Sequence, residues 1–182
     1  MGVLHLGHDE VRNCRVLAWL LDPLGAHGLG DRFLRSFLVL VNDSRPDSTP
    51  IELSDLDLVR ILVEEARGDT RADIVIYGAT WCVLIEAKIF AAEGRQQLTR
   101  LAELWAPDDG ELVCVFLTRD RHSSMISAGD HQWDRCTWRE LAGLVRACLE
   151  DGQDAQLDQG HPGAAGRPAA YEYLRAMETY LT

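Results

Sequence analysis

Two strand-like runs joined by a very short connection constrain the fold of this chain more than any other feature. Ala72 to Tyr77 and Trp81 to Ile89 are rich in β-branched and aromatic residues, and only residues 78–80 separate them. Short apolar runs with so short a connection are typical of a β-hairpin. The sequence therefore predicts two adjacent antiparallel strands near the middle of the chain.

The pairing of these strands determines which charged side chains meet. If Ala79 and Thr80 form a two-residue loop, Asp73 faces Glu86 across the ladder, and Lys88 lies on the same side of the sheet. Two carboxylates and an ammonium then converge. Because the loop lacks the preferred Asn-Gly chemistry, a shift of one or two residues is the alternative, and it would loosen this cluster.

Lys88 is the only lysine in the chain, beside seventeen arginines. A guanidinium stays protonated in almost any setting, whereas the pKa of a lysine responds to burial and to neighbouring charges. A site that needs a movable proton, or one compact donor beside a water or phosphate oxygen, cannot accept arginine instead. Chance survival of a single lysine is the alternative interpretation.

The remaining patterns place this hairpin in an α/β protein. Helical spacing of apolar residues, turn residues and buried runs predict the elements in the order α-α-β-β-β-α-β-α-α, a mixed α/β sandwich. The 182 residues are expected to form one domain, with a helical lead-in at 1–45, a core at 55–118 and C-terminal helices at 137–182. The predicted helices are 8–21, 31–41, 91–105, 137–150 and 169–181, and the predicted strands are 58–65, 72–77, 81–89 and 111–118.

Composition excludes several classes of protein. The formal net charge of −11 argues against a protein that coats nucleic acid through its general field, so such contact must be local and metal-assisted. No apolar stretch is long enough for a membrane span and no secretory pattern opens the chain, which predicts a cytoplasmic protein with no membrane contact. The five cysteines never form a Cys-x-x-Cys pair, so neither a disulfide framework nor a zinc site is predicted, and most are expected in the core.

The predicted cluster has the chemistry that phosphodiester hydrolysis requires. This reaction needs a divalent metal held by oxygen ligands, an activated water and positive charge near the phosphate. Asp73, Glu86 and the Ala87 carbonyl would suffice for one Mg²⁺ ion, with Mn²⁺ as a substitute, and Lys88 would position or deprotonate the water. A cross-strand salt bridge without catalytic function is the alternative.

At these positions the chain resembles the PD-(D/E)XK nuclease superfamily. Asp73, followed by Glu86-Ala87-Lys88, is similar to its D-x(n)-(D/E)-x-K signature, with Ala72 in place of the proline. The stretch from Glu10 to Leu38 also resembles the lead-in of one bacterial branch, and the likeness covers most of residues 8–118. The resemblance implies a restriction-endonuclease-like αβββαβ core, in which a mixed central sheet is flanked by helices.

The resemblance also implies roles for further residues. Asp73 and Glu86 correspond to the metal-binding acids, and Lys88 corresponds to the catalytic lysine. Glu10 matches an acid that reaches the metal through water. Glu65 matches another recurring acid, although Glu64 is adjacent and only strand alternation favours Glu65.

The helix after the hairpin completes the implied site. Gln97 corresponds to a glutamine that orients substrate or water, whereas Leu101 stands where the related Q-L-x-x-Y pattern has an aromatic residue. Arg71, Arg95 and Arg100 flank the site and are predicted to contact nucleic-acid phosphates, with ordinary surface arginines as the alternative.

His27, in a His-Gly-x-Gly turn, is expected to pack or cap the first two helices rather than to contact substrate. The tryptophans are expected mostly in the core.

The leading hypothesis from sequence is thus a Mg²⁺- or Mn²⁺-dependent deoxyribonuclease, of the kind that serves restriction, repair or defence against phage. DNA is the expected partner, with a homodimer or a partner protein as a further possibility. The alternative is a nuclease-fold module for protein or nucleic-acid interaction whose hydrolysis is weak or lost, which the acidic composition and Leu101 would suit.

Overall fold

Five strands form one mixed sheet in the computed structural model, which describes residues 10–88, 97–106, 110–120, 131–151 and 165–180. The strands lie side by side in chain order. They are β1 (Arg60–Arg67), β2 (Thr70–Tyr77), β3 (Trp81–Ala87), β4 (Glu111–Thr118) and β5 (Trp133–Thr137). The helices are α1 (Glu10–Leu21), α2 (Arg32–Ser44), α3 (Gln97–Trp105), α4 (Trp138–Asp151) and α5 (Arg167–Tyr180), with a 3₁₀ turn at Leu56–Leu58.

The sheet changes from antiparallel to parallel at β3. The first three strands form an antiparallel meander, and β3, β4 and β5 run parallel. Parallel neighbours need a crossover connection, and α3 lies between β3 and β4 in the chain. The predicted mixed sheet flanked by helices, with the hairpin inside it, is confirmed.

Helices cover both faces of the sheet. A larger core on one face holds buried side chains from α1, α2, α4 and α5 together with alternate residues of the strands, such as Ile74 and Ile85. A smaller core on the other face is formed by Leu98, Leu101 and Trp105 of α3 against residues such as Leu84. Consecutive side chains of a strand point to opposite faces, so β3, which is buried on both sides, is apolar apart from Glu86, and β2 is apolar in its second half, from Ile74.

The helix starts follow local hydrogen-bond chemistry. Thr137 and Glu140 form a capping box at α4, because the Glu140 N–H donates to Thr137 Oγ1 (3.2 Å) and the Thr137 N–H donates to Glu140 Oε2 (2.8 Å). Asp31, at the N-cap of α2, makes no such bond. Its carboxylate instead accepts from Arg35 one turn later, at 2.5 Å.

Two strands differ from the prediction. The strand predicted at 58–65 begins at Arg60 as β1, and it is an edge strand of the sheet although both of its faces carry apolar residues. The apolar residues on both faces of β1 therefore pack against helices, and they do not indicate a neighbouring strand on each side. The strand β5 was not predicted, because it is only five residues long and contains Asp134 and Arg135 between its buried residues.

The turn between α1 and α2 is built around His27, which is fully buried. Its Nδ1 accepts a hydrogen bond from the Leu29 N–H (3.0 Å), so Nε2 carries the proton and donates to the Asp22 carbonyl (2.8 Å). Burial lowers the pKa of His27, which keeps the ring neutral. A Cβ on Gly25 would come within 2.6 Å of this ring. The structural role predicted for His27 is confirmed.

The five cysteines are buried, as expected for small core residues, and none of them is in a disulfide. The described helices include none long and apolar enough to cross a membrane.

Candidate active site

The hairpin register brings Asp73 and Glu86 together. Ile74 pairs with Ile85, and the Gly78 N–H donates to the Trp81 carbonyl (2.9 Å), which closes a two-residue loop. One step beyond the last pair, Asp73 Oδ2 accepts a hydrogen bond from the Ala87 N–H at 2.9 Å. The predicted register is confirmed, and it places the Asp73 carboxylate against the backbone next to Glu86.

Glu86 is held by one of its two carboxylate oxygens. The side chain is only 1% exposed, and Oε1 accepts from Lys88 Nζ (2.7 Å) and from Gln97 Nε2 (2.5 Å). The other oxygen, Oε2, is buried and has no hydrogen-bond partner within the described residues. Lys88 and Gln97 thus fix the carboxylate and leave one oxygen available for a ligand.

The electrostatics of the pair are unfavourable without a cation. Burial and the neighbouring Asp73 charge raise the pKa of Glu86 to about 8 despite the nearby Lys88 ammonium. Burial also raises the pKa of Asp73, while the Ala87 N–H and Lys88 act in the opposite direction. Ionisation of both of these neighbouring buried carboxylates is unfavourable in free energy. The site therefore favours either a proton on one carboxylate or an added positive charge.

Lys88 lies at the end of β3, and its side chain is 15% exposed. Burial on its own would lower the pKa of Lys88, but the Glu86 and Asp73 charges outweigh burial and raise it. Lys88 is therefore a cation at neutral pH in this form of the protein. It is suited to donate to an oxygen of water or phosphate, and it is not a base in this state.

The first helix closes one side of the site. The charge of Glu10, in the first turn of α1, raises the pKa values of Asp73, Glu86 and Lys88, which places its carboxylate near all three. One turn later, Cys14 is buried and its pKa is raised first by burial and then by the Asp73 and Glu86 charges. Sequence reasoning did not place Cys14 here, because a buried apolar-face cysteine has no pattern that distinguishes it from core.

The sequence model of the PD-(D/E)XK nuclease superfamily matches residues 2–163, most of the chain. The chain belongs to the PD-(D/E)XK nuclease superfamily. Comparisons with curated proteins and with solved structures gave no match.

Members of this superfamily are nucleases, and the motif residues of this chain fit a divalent cation. Asp73 and Glu86 offer carboxylate oxygens, and the buried Glu86 Oε2 lacks a partner within the described residues. Across the same residues, no group of three or more His, Cys, Asp or Glu side chains is close enough to hold a metal ion. Carboxylate oxygens of this kind suit a hard ion that keeps several waters.

Glu65, predicted as a further metal ligand, is bound to side chains other than those of the acidic pair. Its Oε2 accepts from the Tyr77 hydroxyl (2.7 Å), and its Oε1 is 3.6 Å from Arg67. The prediction assumed regular alternation from Val63, which packs in the larger core. Glu64 has a left-handed φ of 52°, which inverts the alternation and turns Glu65 toward the smaller core.

The predicted phosphate-binding arginines have different environments. Arg71 is 56% exposed, pairs with Glu64 and lowers the pKa of Asp73. Arg100, on α3, forms an ion pair with Asp69 in the turn between β1 and β2. Arg95 lies outside the described residues. Of these side chains, Arg71 is the one that the structure places beside the acidic pair.

Gln97, to which the resemblance assigns the orientation of substrate or water, donates a hydrogen bond to Glu86. Leu101, one turn later on α3, is fully buried in the smaller core beside Trp105 and does not reach solvent. This leucine therefore contributes packing and does not form a surface for the nucleic-acid backbone.

Proposed function

We propose that the protein is a metal-dependent deoxyribonuclease that hydrolyses phosphodiester bonds with Mg²⁺, or with Mn²⁺ in its place. One observation supports this most directly. Glu86 is buried beside Asp73 with one oxygen fixed by Lys88 and Gln97, while the other oxygen has no partner within the described residues. A salt bridge that served stability alone would gain nothing from a second buried acid whose charge opposes it.

In this proposal each residue has a distinct task. Asp73, Glu86 and the Ala87 carbonyl hold the cation, which supplies charge neutralisation and lowers the pKa of a bound water. Gln97 fixes the orientation of Glu86 through its amide. Lys88 donates to the attacking water or to a phosphate oxygen, and its ammonium stabilises negative charge that develops there.

Glu10 contributes to the same site at longer range. Its charge increases the negative potential at Asp73 and Glu86, which strengthens cation binding from the first helix. We assign Glu65 no direct contact with the cation, because its carboxylate is engaged by Tyr77 and Arg67. The biological setting we propose is restriction, repair or defence against phage, in the cytoplasm.

The test compares nucleic-acid cleavage by the wild-type protein and by variants of the site. Supercoiled plasmid, linear duplex, single-stranded DNA and RNA are incubated with Mg²⁺, Mn²⁺ or EDTA. We expect metal-dependent cutting of DNA, and loss of about a hundredfold or more in rate for Asp73→Ala and Lys88→Arg. Conversion of plasmid to nicked or to linear product then distinguishes a monomer from a homodimer with two centres.

Glu178→Gln is the matched control, since it removes a carboxylate on α5 that pairs with Arg146. It should cut at the wild-type rate. Wild-type activity in Lys88→Arg would refute the lysine role. Absence of cutting on every substrate, with no calorimetric metal binding that Asp73→Ala removes, would refute the enzyme and favour a catalytically inactive interaction module.

A further inference from the structure

Glu64 joins two arginines next to the candidate active site. Its Oε2 is 2.6 Å from Arg15 NH2 on α1, and its Oε1 is 3.1 Å from Arg71 NH1 on β2. The arginine side chains are 63% and 56% exposed, whereas Glu64 is 21% exposed. Each guanidinium has five N–H donors, so each retains donors toward solvent after binding this carboxylate.

Both arginines are adjacent to residues of the site. Arg71 precedes Asp73 by two positions, and its charge is among those that lower the pKa of Asp73. Arg15 follows Cys14, whose thiol is close enough to Asp73 and Glu86 to be affected by their charges. The pair of arginines therefore borders the acidic centre on the side where α1 meets β2.

The backbone at Glu64 is strained in a way that serves this arrangement. A non-glycine residue at φ 52° is uncommon and persists only where surrounding contacts impose it. The pairing of β1 with β2 includes Val63 with Ile74 and Glu65 with Ala72 but omits the step between them, at Glu64. Regular backbone there would direct Glu64 to the opposite face from Val63, away from α1. The left-handed turn brings its carboxylate to Arg15 instead.

A protein of net charge −11 needs local positive charge to hold a polyanion. Arg15, Glu64 and Arg71 together carry one net positive charge, and both guanidiniums are more than half exposed.

We infer that Arg15 and Arg71 contact phosphates of the nucleic-acid strand beside the scissile phosphate, and that Glu64 is a positioning residue that holds the two guanidiniums in place. The inference rests on the proposed nuclease function and adds to it the groups that seat the strand. Planar guanidiniums bind phosphate oxygens in a bidentate manner, and a carboxylate that orients both reduces the side-chain entropy lost on binding.

The experiment measures the affinity of the full chain for a short fluorescent DNA duplex by anisotropy, as a function of salt. Ca²⁺ replaces Mg²⁺, after a check that the duplex stays uncut. Arg15→Gln and Arg71→Gln should each weaken binding about tenfold. Each should also reduce the slope of log affinity against log salt by about 0.9, and the double variant by about 2.

Arg146→Gln is the matched control, because Arg146 is 53% exposed and paired with Glu178 on the C-terminal helices. Its slope should equal that of the wild type. If wild-type protein cleaves DNA but the double variant has the same slope as Arg146→Gln, the inference fails and the proposed function stands. If wild-type protein neither binds nor cleaves any nucleic acid with metal present, the proposed function fails and the inference fails with it.

Binding and kinetics of a Glu64 variant test the positioning role of this residue separately. Loss of its negative charge in Glu64→Gln would tighten binding if the carboxylate only neutralised the arginines. As a positioning residue, its loss should lower kcat about tenfold without raising KM, since misplacement of the strand affects the reacting geometry. Tighter binding with wild-type kcat would overturn the positioning role. Glu64→Gly, which suits φ 52°, provides a variant that folds without backbone strain.

Discussion

Replacement of Glu86 by glutamine should stabilise the metal-free protein at alkaline pH, although it removes a residue that we place in the catalytic centre. Glu86 is 1% exposed and lies beside Asp73, and its pKa is raised by burial first and by the Asp73 charge second. Glutamine has nearly the same shape and stays neutral, so the folded protein no longer has to ionise a buried acid.

The magnitude follows from the pKa difference between the folded and unfolded states. A rise from 4.5 to about 8 corresponds to about 5 kcal/mol of destabilisation once Glu86 is fully ionised. The new amide N–H₂ takes the place of the buried Oε2, and an unsatisfied buried donor costs about 1–3 kcal/mol. The expected net gain is about 3 kcal/mol, or about 6–12 °C in Tm for a chain of this size.

The raised pKa of Glu86 determines the direction in which stability changes with pH. Between pH 4.5 and about 8 the folded wild type retains a proton on Glu86 that the unfolded chain has released. Stability of the wild type therefore falls as pH rises through this window, by about 1.4 kcal/mol per unit. Near pH 5 the folded states of both proteins carry a neutral side chain at position 86. The variant therefore has no advantage there, and its unsatisfied amide makes it less stable than the wild type.

Differential scanning calorimetry in EDTA at several pH values between 5 and 8.5 measures this difference directly, and groups that do not interact with Glu86 cancel. Addition of Mn²⁺ provides a second measurement. A cation bound by Glu86 at a hundredfold excess over its Kd should stabilise the wild type by about 2.7 kcal/mol and the glutamine variant by much less. A Tm difference between the two proteins that does not change with pH would refute the electrostatic reasoning, as would equal stabilisation of both by the metal.

Two further predictions concern packing and buried charge, both measured by denaturant unfolding. Gly25→Ala should destabilise the fold by about 2 kcal/mol, because its Cβ would lie 2.6 Å from the His27 ring. Gly143→Ala in α4 should instead stabilise the fold by about 0.5–1 kcal/mol, because nothing lies within 4 Å of the added Cβ. Equal effects of the two substitutions would contradict the clash at Gly25. Arg45→Ala should cost about 3 kcal/mol, because Arg45 is 8% exposed and pairs with two acids, while Arg35→Ala, in an exposed pair, should cost under about 1 kcal/mol. A loss for Arg45→Ala as small as that for Arg35→Ala would show that the buried ion pairs contribute little.

The hairpin was predictable because its pattern is local. The strand period fixes which side chains share a face, and a two-residue loop fixes the register, so Asp73 and Glu86 could be paired from sequence. A place for Gln97 in the site was implied only by the family resemblance, and its bond to Glu86 was not predicted, because it depends on how α3 crosses the sheet.

The direction of Glu65 and the strand β5 differ from prediction for one physical reason. Both are determined by tertiary contacts and not by the local sequence. Glu65 was assigned by alternation, and a single left-handed residue at Glu64 reversed it. Nothing in the local sequence requires that conformation, since glutamate has no preference for positive φ. The strand β5 was missed for a similar reason, because its pairing with β4 stabilises five residues that include Asp134 and Arg135.

The first helix connects the acidic centre with the arginine contact and so sets the distance between them. Glu10 acts on Asp73 and Glu86, and Arg15 binds Glu64. Five residues of α-helix separate the two side chains by about 7.5 Å along the axis, which corresponds to about two nucleotides along B-DNA. An arginine at this spacing reaches a phosphate near the scissile one without placing positive charge on the cation site. In the proposed function the lead-in is therefore part of the active site, and this edge is where we expect the acidic protein to contact a polyanion.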